Sequence, residues 1–305
     1  MIDLSIIIVN YNTKEFLKRC INSILDSVSN KISYGVIVVD NASSDGSPSE
    51  VSRLRSALPN FGGQANLKII LNKKNFGFSK ANNQGIKISQ NCRYVLFLNP
   101  DTVVQKGTLE KMIKFMDANK KTGAATCKLV MPNGKIDEAS HRGFPTPWNA
   151  FCYFVGLTGV FPKLKLFSGY NLGWEDFSKT HEIDALAGAF MLVRRIAGEE
   201  VGWWDEDYFF YGEDIEFCYQ LKQRDWKICY VPEVSVTHFK GVSSGIKRIS
   251  KQITTASQET KIKATRQRFA AMRIFYNKHY KEKYPAFVSW LVDKGISAKE
   301  HLSGI

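Results

Sequence analysis

Val36-Ile37-Val38-Val39-Asp40-Asn41-Ala42-Ser43-Ser44-Asp45-Gly46-Ser47-Pro48-Ser49-Glu50 is the stretch that decides the fold. Its first four residues are all β-branched and carry no polar alternation, so they form a strand buried on both faces. The strand ends at Asp40 and runs into a loop of Asn, Ser, Asp and Gly. Ser47-Pro48-Ser49-Glu50 then reads as a capping box with proline at the first helical position. An apolar strand, a polar loop and a helix start in direct succession make the βα unit of a parallel sheet.

The same unit recurs on both sides. Leu4-Ser5-Ile6-Ile7-Ile8-Val9 is a buried strand, Thr13 can cap the helix after it, and Phe16, Leu17, Cys20, Ile21, Ile24, Leu25 and Val28 recur at helical spacing. Downstream, Leu67 to Leu71 is a third strand, residues 79–89 a helix, and Tyr94 to Leu98 a fourth strand ending in Asn99-Pro100-Asp101. Leu109, Met112, Ile113 and Met116 mark another amphipathic helix. This order predicts an α/β fold, a mostly parallel Rossmann-like sheet flanked by helices, with polar loops at the strand C-termini where open sheets bind ligands. Further on, Pro132-Asn133-Gly134 is a turn, Ile183 to Val193 a buried strand, and residues 213–224 a helix with Ile215, Cys218 and Leu221 on one face. Lys227 to His238 reads as a strand and residues 259–280 as a helix. Two units are expected: residues 1–240, and a basic helical C-terminal extension, 241–305.

Composition sets the class. The 305 residues are 44% hydrophobic and 23% charged, which excludes a disordered, collagenous or disulfide-built chain. Lys and Arg total 42 against 29 Asp and Glu, a formal charge of +13 that implies an anionic partner. The six cysteines are scattered without a C-x-x-C pair, so they read as reduced, buried thiols of a cytoplasmic protein rather than a zinc site. No apolar run is long enough to cross a bilayer, and no signal peptide is expected.

Five constellations carry possible chemistry. Asp40 at its strand end, with Asp45 in the loop beside it, can accept hydrogen bonds from a base or ribose, although caps and turns use the same residues. Asn75-Phe76-Gly77-Phe78 and Ala81-Asn82-Asn83-Gln84-Gly85 combine amide donors with glycines that permit close backbone approach. Asn99-Pro100-Asp101 presents a carboxylate suited to a hard cation that completes its shell with phosphate oxygens. Six carboxylates lie between Asp205 and Glu216, interleaved with aromatic residues, a local reversal in a basic chain. Aromatics beside carboxylates suit sugar stacking, and partial burial would tune a carboxylate for general-base work. His238 ends a strand and gains meaning only if it meets Asp101 in space.

In this order the motifs resemble those of the inverting family 2 glycosyltransferases. They run Ile8-Val9-Asn10-Tyr11-Asn12, Val39 to Gly46, Asn75-Phe76-Gly77-Phe78, Asn82-Asn83-Gln84-Gly85, Leu98-Asn99-Pro100-Asp101, Asp184 to Phe190, Tyr211-Gly212-Glu213-Asp214, and His238. The likeness spans about residues 3–240, and the Asn-Pro-Asp form with Phe209-Phe210-Tyr211-Gly212-Glu213-Asp214 is most similar to the bacterial rhamnosyltransferase branch. It implies a GT-A fold and a metal-dependent, inverting transfer of a sugar, rhamnose from dTDP-rhamnose, onto a polysaccharide or lipid-linked saccharide acceptor.

The resemblance also implies roles. Asn10, Tyr11, Asn12, Asp40 and Asp45 would line the nucleotide pocket with Asn75, Gly77, Asn82 and Asn99. Asp101 matches the last acid of the family's D-x-D motif and would bind Mg²⁺ or Mn²⁺. Asn99 stands where that motif has its first acid, which makes His238 a candidate further metal ligand. Asp214 matches the catalytic base, with Glu213 as competitor. Asp184, Gly188, Trp204 and Tyr211 would lie near donor sugar or acceptor.

Two regions fall outside these motifs. Residues 144–167 hold Phe144, Trp148, Phe151, Tyr153, Phe154, Phe161 and Phe167, which can lie on a membrane, hold a lipid carrier or pack on the core. The tail carries Lys240, Lys247, Arg248, Lys251, Lys261, Lys263, Arg266, Arg268 and Arg273, interleaved with apolar residues. It reads as an anionic-membrane surface, a contact in a homo-oligomer, or a helix packed on the catalytic domain. A peripheral location on the cytoplasmic face of a membrane follows from the first reading. A UDP-sugar donor is the first alternative. A sugar nucleotidyltransferase would show a basic Gly-rich loop where Asn10-Tyr11-Asn12-Thr13 stands. A nucleic-acid-binding protein would place its cations around exposed aromatics, whereas the aromatic-rich segment here is acidic. Nucleic acid is therefore not an expected partner.

Overall fold

A computed structural model describes residues 1–28, 32–57, 65–89, 91–246 and 253–303. The first half builds β1 (Ile2–Asn10), α1 (Lys14–Ser27), β2 (Tyr34–Asp40), α2 (Ser47–Ala57), β3 (Ala65–Leu71), α3 (Phe78–Ile88), β4 (Cys92–Leu98), β5 (Thr102–Val104) and α4 (Thr108–Ala118). The second half builds β6 (Thr122–Val130), α5 (Pro147–Phe154), α6 (Leu157–Val160), α7 (Lys165–Ser168), β7 (His181–Ile183), β8 (Phe190–Arg194), α8 (Arg195–Glu200), α9 (Glu213–Gln223), β9 (Lys227–His238), α10 (Gln258–His279) and α11 (Ala286–Leu302).

The described strands form one nine-stranded sheet in the order β3-β2-β1-β4-β8-β6-β9-β5, with β7 also on β9. β3, β2, β1 and β4 are parallel, as the repeated βα units require. The remaining half is mixed, because β8 runs antiparallel to both β4 and β6 while β6 and β9 are parallel. Apolar side chains alternate between two cores: Leu4, Ile6 and Ile8 enter one, Ile7 and Val9 the other. Each such side chain contributes about 1.5–3 kcal/mol by leaving water, so the strands are held from both faces.

Two registers place the site. Asn10 pairs with Asp40 across β1 and β2, and Thr102 pairs with His238 across β5 and β9. The second register brings the Asn99-Pro100-Asp101 turn to the end of β9.

Several local expectations change. The capping box at Ser47 does not form: Glu50 bonds Arg53, and Asp45 Oδ1 accepts the Ser47 amide and hydroxyl at 3.0 and 2.6 Å. Thr13 leaves its helix uncapped and donates its hydroxyl to Asn10 Oδ1, while Asp45 Oδ2 accepts the Lys14 amide at 2.8 Å. One carboxylate thus serves the starts of α1 and α2, where negative charge is favoured. The expected strand from Ile183 to Val193 breaks into β7 and β8. Between them Ala185 forms a two-residue bridge with Arg142, and the chain leaves the sheet to make it. The strand β6 and the helix α11 were not anticipated.

The C-terminal helices pack on the first 240 residues. Phe275 and Tyr276 of α10 join Tyr208 and Tyr219 in a third apolar cluster. Lys278 pairs with Asp205 and Asp207, and His279 Nε2 lies 2.7 Å from Glu216 Oε2. Half of the acidic segment therefore anchors α10. Of the tail cations named above, Lys247, Arg248 and Lys251 lie outside the described residues. No helix among the described residues is long and apolar enough to cross a membrane.

Candidate active site

At the end of β1, the loop Asn10-Tyr11-Asn12 is laced to the loop after β2. Asn10 Nδ2 donates to Asp40 Oδ2 at 2.8 Å, and Asp40 Oδ1 accepts the Ser43 amide at 2.8 Å. Ser43 Oγ accepts the Asn12 amide, and Asn12 Oδ1 accepts the Ser44 amide. Asn12 sits at φ 53, a left-handed conformation that asparagine tolerates by such local bonding. The loops are thus fixed before any ligand arrives. Asn41 Nδ2 donates to the Gly77 carbonyl at 3.0 Å and joins this platform to the start of α3.

The middle of the site is the Asp101–His238 pair. His238 Nε2 lies 3.5 Å from Asp101 Oδ1, and both residues are buried. The other ring nitrogen, Nδ1, lies 2.9 Å from Asp137 Oδ2. Asp137 is fully buried and is also held by Lys240 and by the Ala139 amide. Burial alone would raise the Asp137 carboxyl, but His238 and Lys240 hold it far below the usual carboxylate range. Burial likewise opposes a charged His238, yet the carboxylates on its two sides outweigh it and lift its pKa to about 9. Asp137 turns the imidazole so that Nε2 faces Asp101, and that buried nitrogen has no hydrogen-bond partner. A ring nitrogen held from behind by one carboxylate and facing a second is how proteins present histidine to a metal, which would take the place of the ring proton between Nε2 and Asp101. Asp101 and His238 therefore fit Mg²⁺ or Mn²⁺. Among the described residues no three Asp, Glu, His or Cys side chains form a complete metal cage, so the remaining ligands would be phosphate oxygens and water.

The third part is the start of α9. Tyr211 and Gly212, at φ 72 and 83, turn the chain abruptly into the helix and present Glu213 and Asp214 in its first turn. A left-handed tyrosine costs of order 1–3 kcal/mol, a strain found at functional sites. Asp214 Oδ2 accepts from Arg142 Nη2 at 2.7 Å and from the Gly188 amide at 3.4 Å. Arg142 also donates to the Leu186 carbonyl. Glu213 is buried and its Oε2 has no partner. Burial, then the adjacent Asp214 charge, pushes its carboxyl well above the usual range. Two neighbouring carboxyls thus differ in environment, one ion-paired and one held toward its neutral form, the pattern of acid–base pairs.

One cleft joins these parts. Tyr11, Asn75, Gly77, Asn99, Asp101, Gly188, Tyr211, Glu213, Asp214 and His238 all line it. Other expected residues stand behind it. Asp40 and Asn10 brace the loops, Asp45 bridges the two helix starts, and Asn82 Nδ2 donates to the Phe78 carbonyl within α3. Asp184 accepts the Phe144 amide outside the cleft. Trp204, expected beside a sugar, is a core residue instead, 2% exposed and packed against Phe78, Phe97 and Phe217. Its aromatic neighbours exclude it from solvent. The sequence reading missed Asp137 and Arg142. Asp137 follows the Pro132-Asn133-Gly134 turn, its one local signal, and Arg142 has none.

Comparisons with known proteins give the family and the fold. Residues 5–173 match Glycosyl transferase family 2, and residues 94–268 match Glycosyl transferase family group 2. A low-salt glycan biosynthesis hexosyltransferase, Agl10 of Haloferax volcanii, is 27% identical over 77% of this chain and 67% of its own length. The N-acetylglucosaminyl-diphospho-decaprenol L-rhamnosyltransferase of Mycobacterium tuberculosis is 25% identical over 79% of this chain and 78% of its own. Among solved structures, the mannosyltransferase PcManGT of Pyrobaculum calidifontis, in complex with GDP-Man and Mn²⁺, superposes with a TM-score of 0.56 at 16% identity, over 88% of this chain and 65% of its own. This chain therefore spans just under two thirds of that structure, whose likeness establishes the GT-A fold.

Proposed function

The chain belongs to glycosyl transferase family 2, a family of nucleotide-sugar enzymes, and on that premise we propose that it transfers rhamnose from dTDP-rhamnose, with inversion, to a hydroxyl of a polysaccharide or lipid-linked saccharide. The observation that carries this reading is one cleft holding both a carboxylate-backed His238 facing Asp101 and the Glu213–Asp214 pair. The choice of rhamnose is supported by the named activity of the mycobacterial relative. Residues 1–240 would hold the donor and the reacting groups, and residues 241–305 would wall the acceptor side. The reaction would take place at the cytoplasmic face of the membrane that carries the acceptor.

Each side chain has a separate duty. Asp101 and His238 would hold Mg²⁺ or Mn²⁺, and Asp137 keeps the His238 ring oriented. That cation would supply Lewis-acid stabilisation of charge on the departing diphosphate. Tyr11, Asn75 and the backbone at Gly77, which line the cleft, would hold the donor. Asp214 takes the proton of the acceptor hydroxyl as its oxygen bonds to the sugar anomeric carbon and the bond to the diphosphate breaks on the opposite face. Arg142 and the Gly188 amide fix the Asp214 oxygen toward the cleft. Glu213, held toward its protonated form, adds no second charge beside the base.

The test is a thermal-shift panel with dTDP, UDP, GDP and ADP, each with Mn²⁺ and with EDTA. A ligand that binds only the native state raises its stability. The largest Mn²⁺-dependent rise is expected with dTDP. UDP strongest would move the donor to a UDP-hexose or UDP-N-acetylhexosamine. No rise with any nucleotide would overturn the reading.

A further inference from the structure

A second cavity lies outside the cleft. It encloses about 500 Å³, within the roughly 300–1,000 Å³ of ordinary ligand sites. Lys128 of β6, Ile136, Lys163 between α6 and α7, and the loop from Trp174 to Ser178 line it. One peptide separates the two spaces, since Ile136 lines the cavity and Asp137 the cleft.

The surrounding chain fixes the cavity walls. At its edge β6 and β9 slip in register: Cys127 pairs with Val231 but Lys128 with Ser235, so three residues of β9 bulge beside Lys128. Such bulges re-aim side chains and cluster near functional sites. Gly173 lets the Trp174 loop press on the chain before α7, where an added Cβ would sit 2.2 Å from the Pro162 carbonyl oxygen. Phe177 packs on His141, with ring centroids 4.0 Å apart.

The charges of the cavity are sorted. Trp174 Nε1 donates to Glu175 Oε1 at 2.8 Å. Asp176 Oδ1 accepts the Ser178 amide and hydroxyl at 3.0 and 2.6 Å, and Asp176 Oδ2 lies 3.5 Å from Lys179 Nζ. Both carboxylates thus have partners within their own loop. Lys128 and Lys163 have no ion-pair partner among the described residues. Lys165, over the Trp174 ring at 5.6 Å, adds a third cation beside them. The uncommitted charge is positive and stands next to two aromatic rings. A sugar ring offers its C–H groups to an aromatic face, which is electronegative, and an acidic substituent pairs with lysine.

Building on the glycosyltransferase reading, we propose that this cavity binds an acidic saccharide, a segment of the acceptor remote from the reacting hydroxyl, with one sugar unit on Trp174 and its anionic group between Lys128 and Lys163. The acceptor is then held at two points, which raises the local concentration of its hydroxyl at Asp214.

The probe is trigalacturonic acid, titrated calorimetrically into the full chain in EDTA at low ionic strength. Maltotriose is the neutral control and tricarballylate the non-sugar trianion. Trigalacturonic acid is expected to bind at least about fivefold more tightly than either, because only it meets both the rings and the lysines. Trp174→Ala should weaken it about tenfold, with Trp174→Phe keeping most of the binding. Lys128→Gln with Lys163→Gln should cost about two- to fivefold per lysine and flatten the salt dependence. All three variants should keep the parent's urea midpoint, which shows that they fold, and its Mn²⁺-dependent dTDP shift. Binding that survives both the Trp174→Ala and the lysine changes overturns the inference, because the sugar would then lie in the cleft. Equal affinity for maltotriose or for tricarballylate also overturns it, the first by removing the role of charge and the second that of the rings. Absence of the nucleotide shift in the parent would instead sink the donor reading and leave the saccharide result standing.

Discussion

Replacing Gly77 by alanine tests whether the proposed donor platform is as rigid as its geometry requires. Gly77 has φ 86 and ψ 177, a region that only glycine occupies without strain. A side chain there costs of order 1–3 kcal/mol. A Cβ would also sit 2.5 Å from the Phe209 carbonyl oxygen and 2.8 Å from the Phe209 ring. The oxygen is backbone and accepts the Phe78 amide at 2.7 Å, so relief requires moving that bond, worth about 1 kcal/mol net. The sum is roughly 3 kcal/mol or more. Gly107→Ala is the control, because Gly107 has φ 77 but no atom within 4 Å of an added Cβ. It should lose about 1–2 kcal/mol by left-handed strain alone. Urea unfolding at 25 °C reads both, and dTDP–Mn²⁺ titration reads the site. Gly77→Ala should lose more stability and more nucleotide affinity, because Gly77 ties the Asn41 loop to the Phe209 segment leading to α9. Equal losses in the two variants would refute the close approach as the cause.

Other outcomes follow from the ion pairs. Asp137→Asn strips His238 and Lys240 of their shared buried partner and should cost about 3–5 kcal/mol in urea unfolding. It should also weaken Mn²⁺-dependent nucleotide binding about 10–100-fold; unchanged Mn²⁺ dependence would contradict its orienting role. Glu213→Gln changes the pH profile of stability. The folded state raises the Glu213 carboxyl above its ordinary 4.5, so it keeps a proton that the unfolded chain releases. Its contribution is full below 4.5 and falls by about 1.4 kcal/mol per pH unit until the folded value is passed. Glutamine cannot ionise, so the variant should gain on the parent progressively above pH 4.5, and parallel unfolding curves would exclude a buried, protonated Glu213. Asp214→Asn should lower kcat about 10²–10⁴-fold while the dTDP–Mn²⁺ thermal shift stays; loss of that shift would place Asp214 in donor binding instead.

What the sequence made legible was local. The units from β1 to α4 follow from contiguous apolar runs and helical spacing, both of which depend on neighbours in the chain. β6 escaped notice because Gly123, Ala124, Ala125 and Thr126 carry little β-branched signal, and the strand is stabilised by β8 and β9. The break after Ile183 was hidden because it comes from the Arg142–Ala185 bridge. The same distinction holds at the site. Asp101, His238, Glu213 and Asp214 stood out by motif, whereas Asp137 works through a contact 101 residues away. Arg142 reaches Asp214 across 72 residues, and no spacing rule detects such a pair. The acidic segment illustrates both cases: Glu213 and Asp214 face the cleft, while Asp205, Asp207 and Glu216 hold α10.

The pairing of Thr102 with His238 also has a consequence for biosynthesis. The two residues proposed to hold the cation stand at the ends of strands that meet only after most of the chain has been made, a contact of very high sequence separation. Such contacts close late in folding because the intervening loop must first be ordered. A nascent chain can complete its four parallel strands while Asp101 and His238 are still apart. Metal capture would then report the closing step of folding, and a chain stalled before β9 would carry a nucleotide platform with nothing to neutralise the diphosphate.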